Sequence, residues 1–329
     1  MDKNKIDIKE NYIYHLDNDL LEILLKDRSS KRNIIWATDN YAHRGFGYQK
    51  DDQIRSAVIT GYKGSVVKPR VEKSKYEQTE RIRKKAEVFT PSWICNKQNN
   101  LVDNAWFGSD FVFNTETDKS WIATVDPVVF PTALGKTWQD YVCDIRLEIT
   151  CGEAPYLVSR YDTVTGAEIK LSQRIGLLDR KMRIVNENAK DEESWLKWAI
   201  KSYQCIYGYD WQGDNVLLAR ENLLFTFIDY YKEKFEKEPS IDILKKIATI
   251  LSWNIWQMDG MKFVIPDSCK KIENIKLSMA QRRATSAKPA NAPRPAGSTV
   301  YTVKSGDVLG TIAHKHGVTG DSLYRLERR

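Results

Sequence analysis

Two stretches of this chain join a backbone bend or a strand end to a carboxylate, which is what binding a nucleoside requires. In LEITCGEAPYL (147–157) an apolar run ends in Cys151-Gly152-Glu153, and the glycine allows a tight turn whose N–H groups can approach a ligand closely. In IYGYDWQGDNVLLAREN (206–222) a second short run ends in Asp210, whose carboxylate can accept hydrogen bonds from ribose hydroxyls. Each residue also has a plainer reading. Glu153 can reach a ligand ammonium or be a surface charge, and Asp210 can be an acid favoured by the dipole of the helix that follows it. Alanine at position 154 is tolerable only if its φ is negative.

The elements that must position these residues follow from periodicity. The spacing of Leu16, Leu20, Leu21, Leu24 and Leu25 predicts an amphipathic helix over 16–27, and 73–86 can form a charged helix. Residues 145–150 read as a strand and 192–204 as a helix packing through Trp195, Trp198, Ala199 and Tyr203. A second strand at 206–210, a long helix at 214–235, a helix at 241–251 and a strand at 255–258 follow. Strands separated by helices argue for a parallel, helix-covered α/β sheet. Ligands bind such sheets beyond the carboxyl ends of the strands, which is where Gly152 and Asp210 fall.

With those residues in place a resemblance becomes visible. LEITCGEAPYL is similar to the first cofactor motif of adenine-specific DNA methyltransferases, and AEVFTPSWICNKQNNLVD (86–103), with Phe89-Thr90-Pro91 at its core, resembles the segment preceding it. YGYDWQGDNVLLARENL resembles the next motif, whose acid holds the ribose, and WNIWQMDG (253–260) a later one, in which Asp259 would lie beside the adenine. The order of motifs resembles the gamma arrangement of amino-methyltransferases, and the chain looks like restriction endonuclease subunit M proteins of restriction–modification systems.

The resemblance implies a Rossmann-like α/β sheet with helices on both faces. It also implies S-adenosyl-L-methionine as cofactor, DNA as partner and methyl transfer to adenine N6. Cys151, Gly152, Glu153, Asp210 and Asp259 would form the pocket, with Phe89, Thr90 and Pro91 covering the methionine side. The chain departs from the family at Ala154 and Pro155, where a second glycine is usual. It contains no Pro-Pro dipeptide, so the catalytic loop that would grip a flipped base is not found and the catalytic residues stay unassigned. A second restriction–modification subunit supplying that loop is the expected remedy, and a non-catalytic accessory protein of a defence system is the alternative.

Bulk properties set the frame. At roughly 100–200 residues per domain, the chain suggests two domains. The divisions expected are a lead-in over 1–85, a cofactor-binding domain over 86–275, an Ala/Pro/Ser/basic linker over 276–299 and a small module over 300–329. The net charge of +7 resides in residues 267–329, which carry twelve basic and five acidic residues, so overall basicity says little about the main body. Residues 68–85 hold eight basic and three acidic residues, read as a solvated helix face or, alternatively, a phosphate contact. Five widely spaced cysteines without a C-x-x-C pair signal neither zinc nor a disulfide framework, and no metal site is expected. No apolar run is long enough for a membrane span, and no secretory leader is recognisable, which suggests a cytoplasmic protein. YTVKSGDVLGTIAHKHGVTGDSLYRLE (301–327) is similar to the start of a LysM module, which implies peptidoglycan or N-acetylglucosamine binding as a competing function.

Overall fold

The computed structural model describes residues 10–64, 66–85, 87–131, 135–260, 262 and 264–266. The 276–299 linker and the LysM-like 300–329 module lie outside the described residues. The helices are α1 (Glu10–Leu16), α2 (Asn18–Leu25), α3 (Ser56–Ile59), α4 (Lys75–Lys85), α5 (Ser92–Phe107), α6 (Trp138–Cys143), α7 (Leu177–Asn188), α8 (Glu192–Gln204), α9 (Gly213–Phe235) and α10 (Ile241–Asn254). The strands are β1 (Asn114–Thr117), β2 (Ser120–Ala123), β3 (Arg146–Ile149), β4 (Ile206–Asp210) and β5 (Ile255–Gln257). The architecture is mixed α/β, with a β1–β2 hairpin and a parallel sheet in the order β3-β4-β5.

Local chemistry starts these helices. The Asp17 side chain accepts from Leu20 N–H at the head of α2, Asp191 from Ser194 N–H at α8, and Ser240 from Ile243 N–H at α10. Each satisfies one of the backbone donors that a helix start leaves open. Thr137 and Asp140 form a reciprocal capping box on α6. The expected strands and helices from 192 to 257 form with boundaries shifted by a few residues at most. Their apolar sets, including Trp195, Ala199, Tyr203, Leu217, Leu223 and Phe227, are buried in one core.

α9 is the axis of that core. It is buried almost throughout, and the N-terminal segment closes on one side of it, with α2 lying on α10 as well as on α9. Apolar residues of the 1–85 lead-in, from Ile13 to Val67, belong to the same core as the rest of the described chain. Gly213 opens α9 where there is no room for a side chain, since a Cβ there would stand 2.0 Å from the Ile35 carbonyl oxygen. The neighbouring Gln257 amide donates to Ile35 O (2.6 Å) and accepts from Ile35 N–H (2.9 Å), tying this strap to the end of β5.

Among the described residues, α9 and α10 pack on one face of this sheet. Ile206 and Ile255 point into the main core against the helices. On the opposite face Tyr209 and Trp256, paired in register and stacked at 6.0 Å, form a separate cluster with Met258. Leu147 and Ile265 pack against that cluster, and no helix residue belongs to it among the described residues. Gly260 lies against Ile149 and Tyr209 so closely that a Cβ would stand 2.8 Å from the Ile149 side chain.

A polar hub anchors the start of β3. Asp103 of α5 accepts from Tyr141 Oη (2.9 Å), Arg180 Nη1 (2.6 Å) and Arg146 Nη2 (3.3 Å). Neither α5 nor α7 was expected from the sequence. The buried face of α5 carries Asn96, Asn99, Asn100 and Asp103, which hide the apolar periodicity on which the reading relied, whereas α7 does bury Leu177, Leu178, Met182, Ile184 and Val185 at helical spacing.

α9 also buries Glu221, which has no hydrogen-bond partner at either oxygen and faces the charge of buried Glu10. Burial, followed by Glu10, pushes the Glu221 carboxyl well above its ordinary range, and Glu10 is pushed up to about 8, chiefly by burial. A carboxyl whose folded pKa is raised contributes stability that is present below its unfolded pKa and lost as pH rises through the folded one. Glu221→Gln is therefore expected to be neutral near pH 4 and stabilising by about 1–3 kcal/mol at pH 9. Urea denaturation at both pH values checks this, and an equal effect at the two would contradict it.

Candidate cofactor site

The bend and the carboxylate converge. β3 and β4 are adjacent parallel strands, and beyond their carboxyl ends the Gly152 N–H donates to Asp210 Oδ2 at 2.9 Å. The other Asp210 oxygen accepts from Gln212 N–H (2.8 Å) and, at 3.4 Å, from Asn215 Nδ2. Asp210 is buried, and desolvation first, with the charges of Glu87 and Asp214 adding to it, lifts its pKa to about 6 despite the bonds from Gln212 and Gly152.

The turn has an unusual backbone. Thr150, Gly152 and Ala154 all take positive φ, at 55°, 53° and 63°. Ala154 thus occupies the left-handed conformation that glycine adopts most readily, and the negative φ expected of an alanine there is not found. A left-handed L-residue costs ~1–2 kcal/mol, which the surrounding structure sustains: Ala154 N–H donates to Cys151 O and the side chain is fully buried. Ala154→Gly should relieve this strain, partly offset by the greater unfolded-state freedom of glycine, for a net gain of about 0.5–1 kcal/mol. A rise in the urea midpoint without a change in slope is the expected reading.

The other expected site residues fall as follows. Cys151 is buried, with its N–H on Tyr209 O and its sulfur against Gly208, and burial drives its thiol well up, so it is a packing residue rather than a nucleophile. Phe89 lies over the glycine, its ring 3.2 Å from where a Gly152 Cβ would stand, and the Arg70 guanidinium covers the ring at 5.5 Å. Thr90 offers its carbonyl to Thr163 Oγ1 at 3.2 Å, and Pro91 caps α5. Phe89 is therefore at the turn, while Thr90 and Pro91 lead away from it into α5.

Glu153 is neither a surface charge nor free to meet a ligand. One oxygen accepts from Arg70 N–H and the other from Tyr161 Oη (2.6 Å). Burial raises its pKa, with the nearby Lys73 charge opposing. Asp259 closes a tight turn after β5: its N–H donates to Val264 O (2.9 Å) and its carboxylate accepts from Lys262 N–H (3.0 Å). Met258 N–H, one residue before Asp259, donates to Asp210 O at 2.9 Å.

The structure adds residues that the sequence did not single out. Glu148 on β3 sits beneath the turn, fully desolvated, with its carboxyl pushed well above the ordinary range and accepting from Tyr156 and Leu157 N–H. Asp214, in the first turn of α9, accepts from Tyr41 Oη (2.9 Å) and Arg81 Nη2 (2.7 Å), with Lys73 Nζ 3.7 Å away. Arg81 and Lys73 outweigh the upward push of burial and hold the Asp214 carboxyl below its usual range. Arg81 also pairs with Glu87 (2.8 Å), which accepts from Gln212 Nε2 (2.6 Å). The basic stretch 68–85 is consequently not a uniformly solvated face. Lys73 and Arg81 turn inward to the site, while Arg83 and Lys84 stay outside on Glu80.

Chemically, the site combines an acid at a strand end, a glycine turn under an aromatic ring and a charged wall from residues 70–87. No protein-family model, curated protein or solved structure matches the chain. Among the described residues no helix is long and apolar enough to cross a membrane.

Proposed function

We propose that the chain binds S-adenosyl-L-methionine over the carboxyl ends of β3 and β4. In this reading it is the cofactor-binding part of an adenine-N6 DNA methyltransferase-like assembly, completed by a second restriction–modification subunit. The observation that carries the reading is the 2.9 Å bond from Gly152 N–H to Asp210 Oδ2, which brings the bend of one parallel strand and the acid of its neighbour to one point.

The donor set suits the ribose end of such a cofactor. Asp210 is a pure acceptor when ionised, and its oxygens can exchange bonds to backbone N–H for bonds to ribose hydroxyls. The absence of a side chain at Gly152 lets the Phe89 ring approach the turn closely. An ammonium at Glu153 would have to displace Arg70 N–H and Tyr161 Oη, as ribose hydroxyls at Asp210 would displace Gly152 and Gln212 N–H. The cofactor would supply an activated methyl group; what this chain supplies is orientation of the nucleoside and exclusion of solvent around it. The expected Pro-Pro loop has no counterpart here, so the base-gripping step is assigned to a partner.

Isothermal titration of the full chain with S-adenosylmethionine, alongside thermal melting, tests the reading. Saturable binding and a raised melting temperature are expected. No heat and no shift at millimolar cofactor would sink it. Co-purification with a subunit carrying a Pro-Pro-aromatic loop, followed by methylation of adenine-containing duplexes only when both are present, would test the assembly.

A further inference from the structure

Two aromatic rings stand almost wholly in water: Phe46 is 99% and Tyr62 94% exposed, the most exposed rings among the described residues. Both are carried on pinned backbone. Around Phe46, Trp36 Nε1 donates to Gly47 O (2.9 Å), Tyr48 Oη to Val58 O (2.8 Å) and Gln49 Nε2 to Gly45 O (2.9 Å). Tyr41 and Tyr48 pack on buried Trp36 at 4.5 and 5.6 Å, so this loop buries two of its three rings and holds the third out. Gly45 and Gly47, which flank Phe46, take φ of 88° and 85°, a region glycine enters readily. Tyr62 lies in a 3₁₀ turn directly after α3, whose Gly61 is held by Asn11 through N–H to Oδ1 (2.7 Å) and Nδ2 to O (3.0 Å). The two displays share one support. A Cβ on Gly47 would stand 3.3 Å from the Val58 side chain of α3. Tyr62 follows Val58 by four residues, so at most about 14 Å of chain separates them.

The same stretch is basic. Residues 43–63 carry four Lys/Arg against two Asp, whereas residues 1–266 as a whole are neutral. Arg44, Lys50 and Arg55 are exposed, the Lys63 ammonium lies 5.5 Å over the Tyr62 ring, and the Asp52 carboxylate is engaged by Gln49 N–H (2.8 Å). We propose that residues 43–63 form a binding face for single-stranded nucleic acid, with Phe46 and Tyr62 stacking on bases and Arg44, Lys50, Arg55 and Lys63 meeting phosphates. Uncovered rings interleaved with cations match a chain of flat bases on a charged backbone. A single strand offers its base faces freely, whereas a duplex must first be unstacked. An apolar peptide or a second copy of this face would cover the rings and strip water from unpaired cations. The proposal does not rest on the cofactor reading.

The test is fluorescence anisotropy of the full chain with labelled oligo-dT, a duplex of the same length and heparin, which has the charge without the bases. The wild type should bind oligo-dT more tightly than duplex. Phe46→Ala should weaken oligo-dT at least about fivefold, the low end of a lost base–ring stack. Phe46→Trp should restore it, and Tyr62→Ala should act in the same direction. Heparin affinity, to which the basic 267–329 segment contributes equally in every variant, should not change. Arg44→Gln with Lys50→Gln should flatten the salt dependence of oligo-dT binding. Oligo-rU run in parallel separates RNA from DNA, and tighter binding of either single strand than of duplex supports the face. Undiminished oligo-dT binding by the Phe46→Ala, Tyr62→Ala double variant overturns the proposal. So does equal affinity for duplex, or a parallel loss of heparin. Since both rings stand in water, melting temperature and the calorimetric response to S-adenosylmethionine should match wild type in each variant, which keeps this outcome separate from that of the cofactor site.

Discussion

Asp210→Asn is expected to lower affinity for S-adenosylmethionine by about a hundredfold, without unfolding the protein. A hydrogen bond to a charged acceptor contributes ~1.5–3 kcal/mol. The asparagine loses the charge at both ribose hydroxyls and keeps a single acceptor oxygen, so about 3 kcal/mol, or roughly a hundredfold, is the scale of the loss. The pH dependence follows from the carboxyl lying at about 6. Only the ionised acid accepts from both hydroxyls, so wild-type affinity should be level above pH 7 and fall about tenfold per unit below pH 6. Asp210→Asn should show no such slope.

Stability moves the other way. The Asp210 pKa is raised in the folded state, so its contribution is fully present below the unfolded value of about 3.9 and is lost as pH rises through about 6. Replacing it should therefore become relatively more favourable between pH 4 and pH 7. Binding curves and denaturation midpoints for the pair at pH 5, 6 and 8 check both. A variant that binds the cofactor as well as wild type at pH 8 would remove Asp210 from the site.

Arg220→Met is expected to be the most damaging single change, costing at least about 3–5 kcal/mol and preventing soluble folding at physiological temperature. Arg220 is fully buried in α9 and donates to the carbonyls of Leu24, Lys26, Ser252 and Ile255. These are the last turn and exit of α2, the last turn of α10 and the first residue of β5, three elements whose terminal carbonyls have few other donors. Methionine fills a similar volume and leaves several of those carbonyls unpaired, each at ~1–3 kcal/mol. Arg220→Lys should recover only part of the loss, because three donors on a point charge cannot span a fork of four carbonyls. The drop in denaturation midpoint, Met below Lys below wild type, is the measurement; a Met variant within 1 kcal/mol of wild type, a margin set by about one ordinary hydrogen bond, would show the carbonyls are otherwise satisfied.

Both residues illustrate how far a sequence can be read. Asp210 was legible because it ends an apolar run of strand length and precedes a helix, a juxtaposition with a local signature. Arg220 carried no signal. It lies in the middle of a helical pattern where an arginine is ordinarily solvent-facing, and only the arrival of α2 from the far end of the chain makes it a clasp. The glycine turn was legible at Gly152, but its conformation was not. The pattern required a negative φ of Ala154, and the fold gives a positive one, with Ala154 N–H on Cys151 O and its carbonyl accepting from Leu157 and Val158 N–H.

What the residues alone determined was whatever depends on neighbours within a few positions: the helices α8, α9 and α10, of which α8 and α10 carry side-chain caps, the short strands β3, β4 and β5, and the bend at Gly152. Side-chain period, N-cap chemistry and glycine freedom are local properties, and they survive folding unchanged. What only the tertiary structure decided was everything set by desolvation and by meetings between distant segments. It packed α9 and α10 against the sheet, drew Lys73 and Arg81 out of a basic surface run to face Asp214, and engaged Glu153 internally. A charged side chain has no intrinsic preference for such places; its pKa, partners and exposure are fixed by which segments the core brings against it, and that is a property of the whole chain.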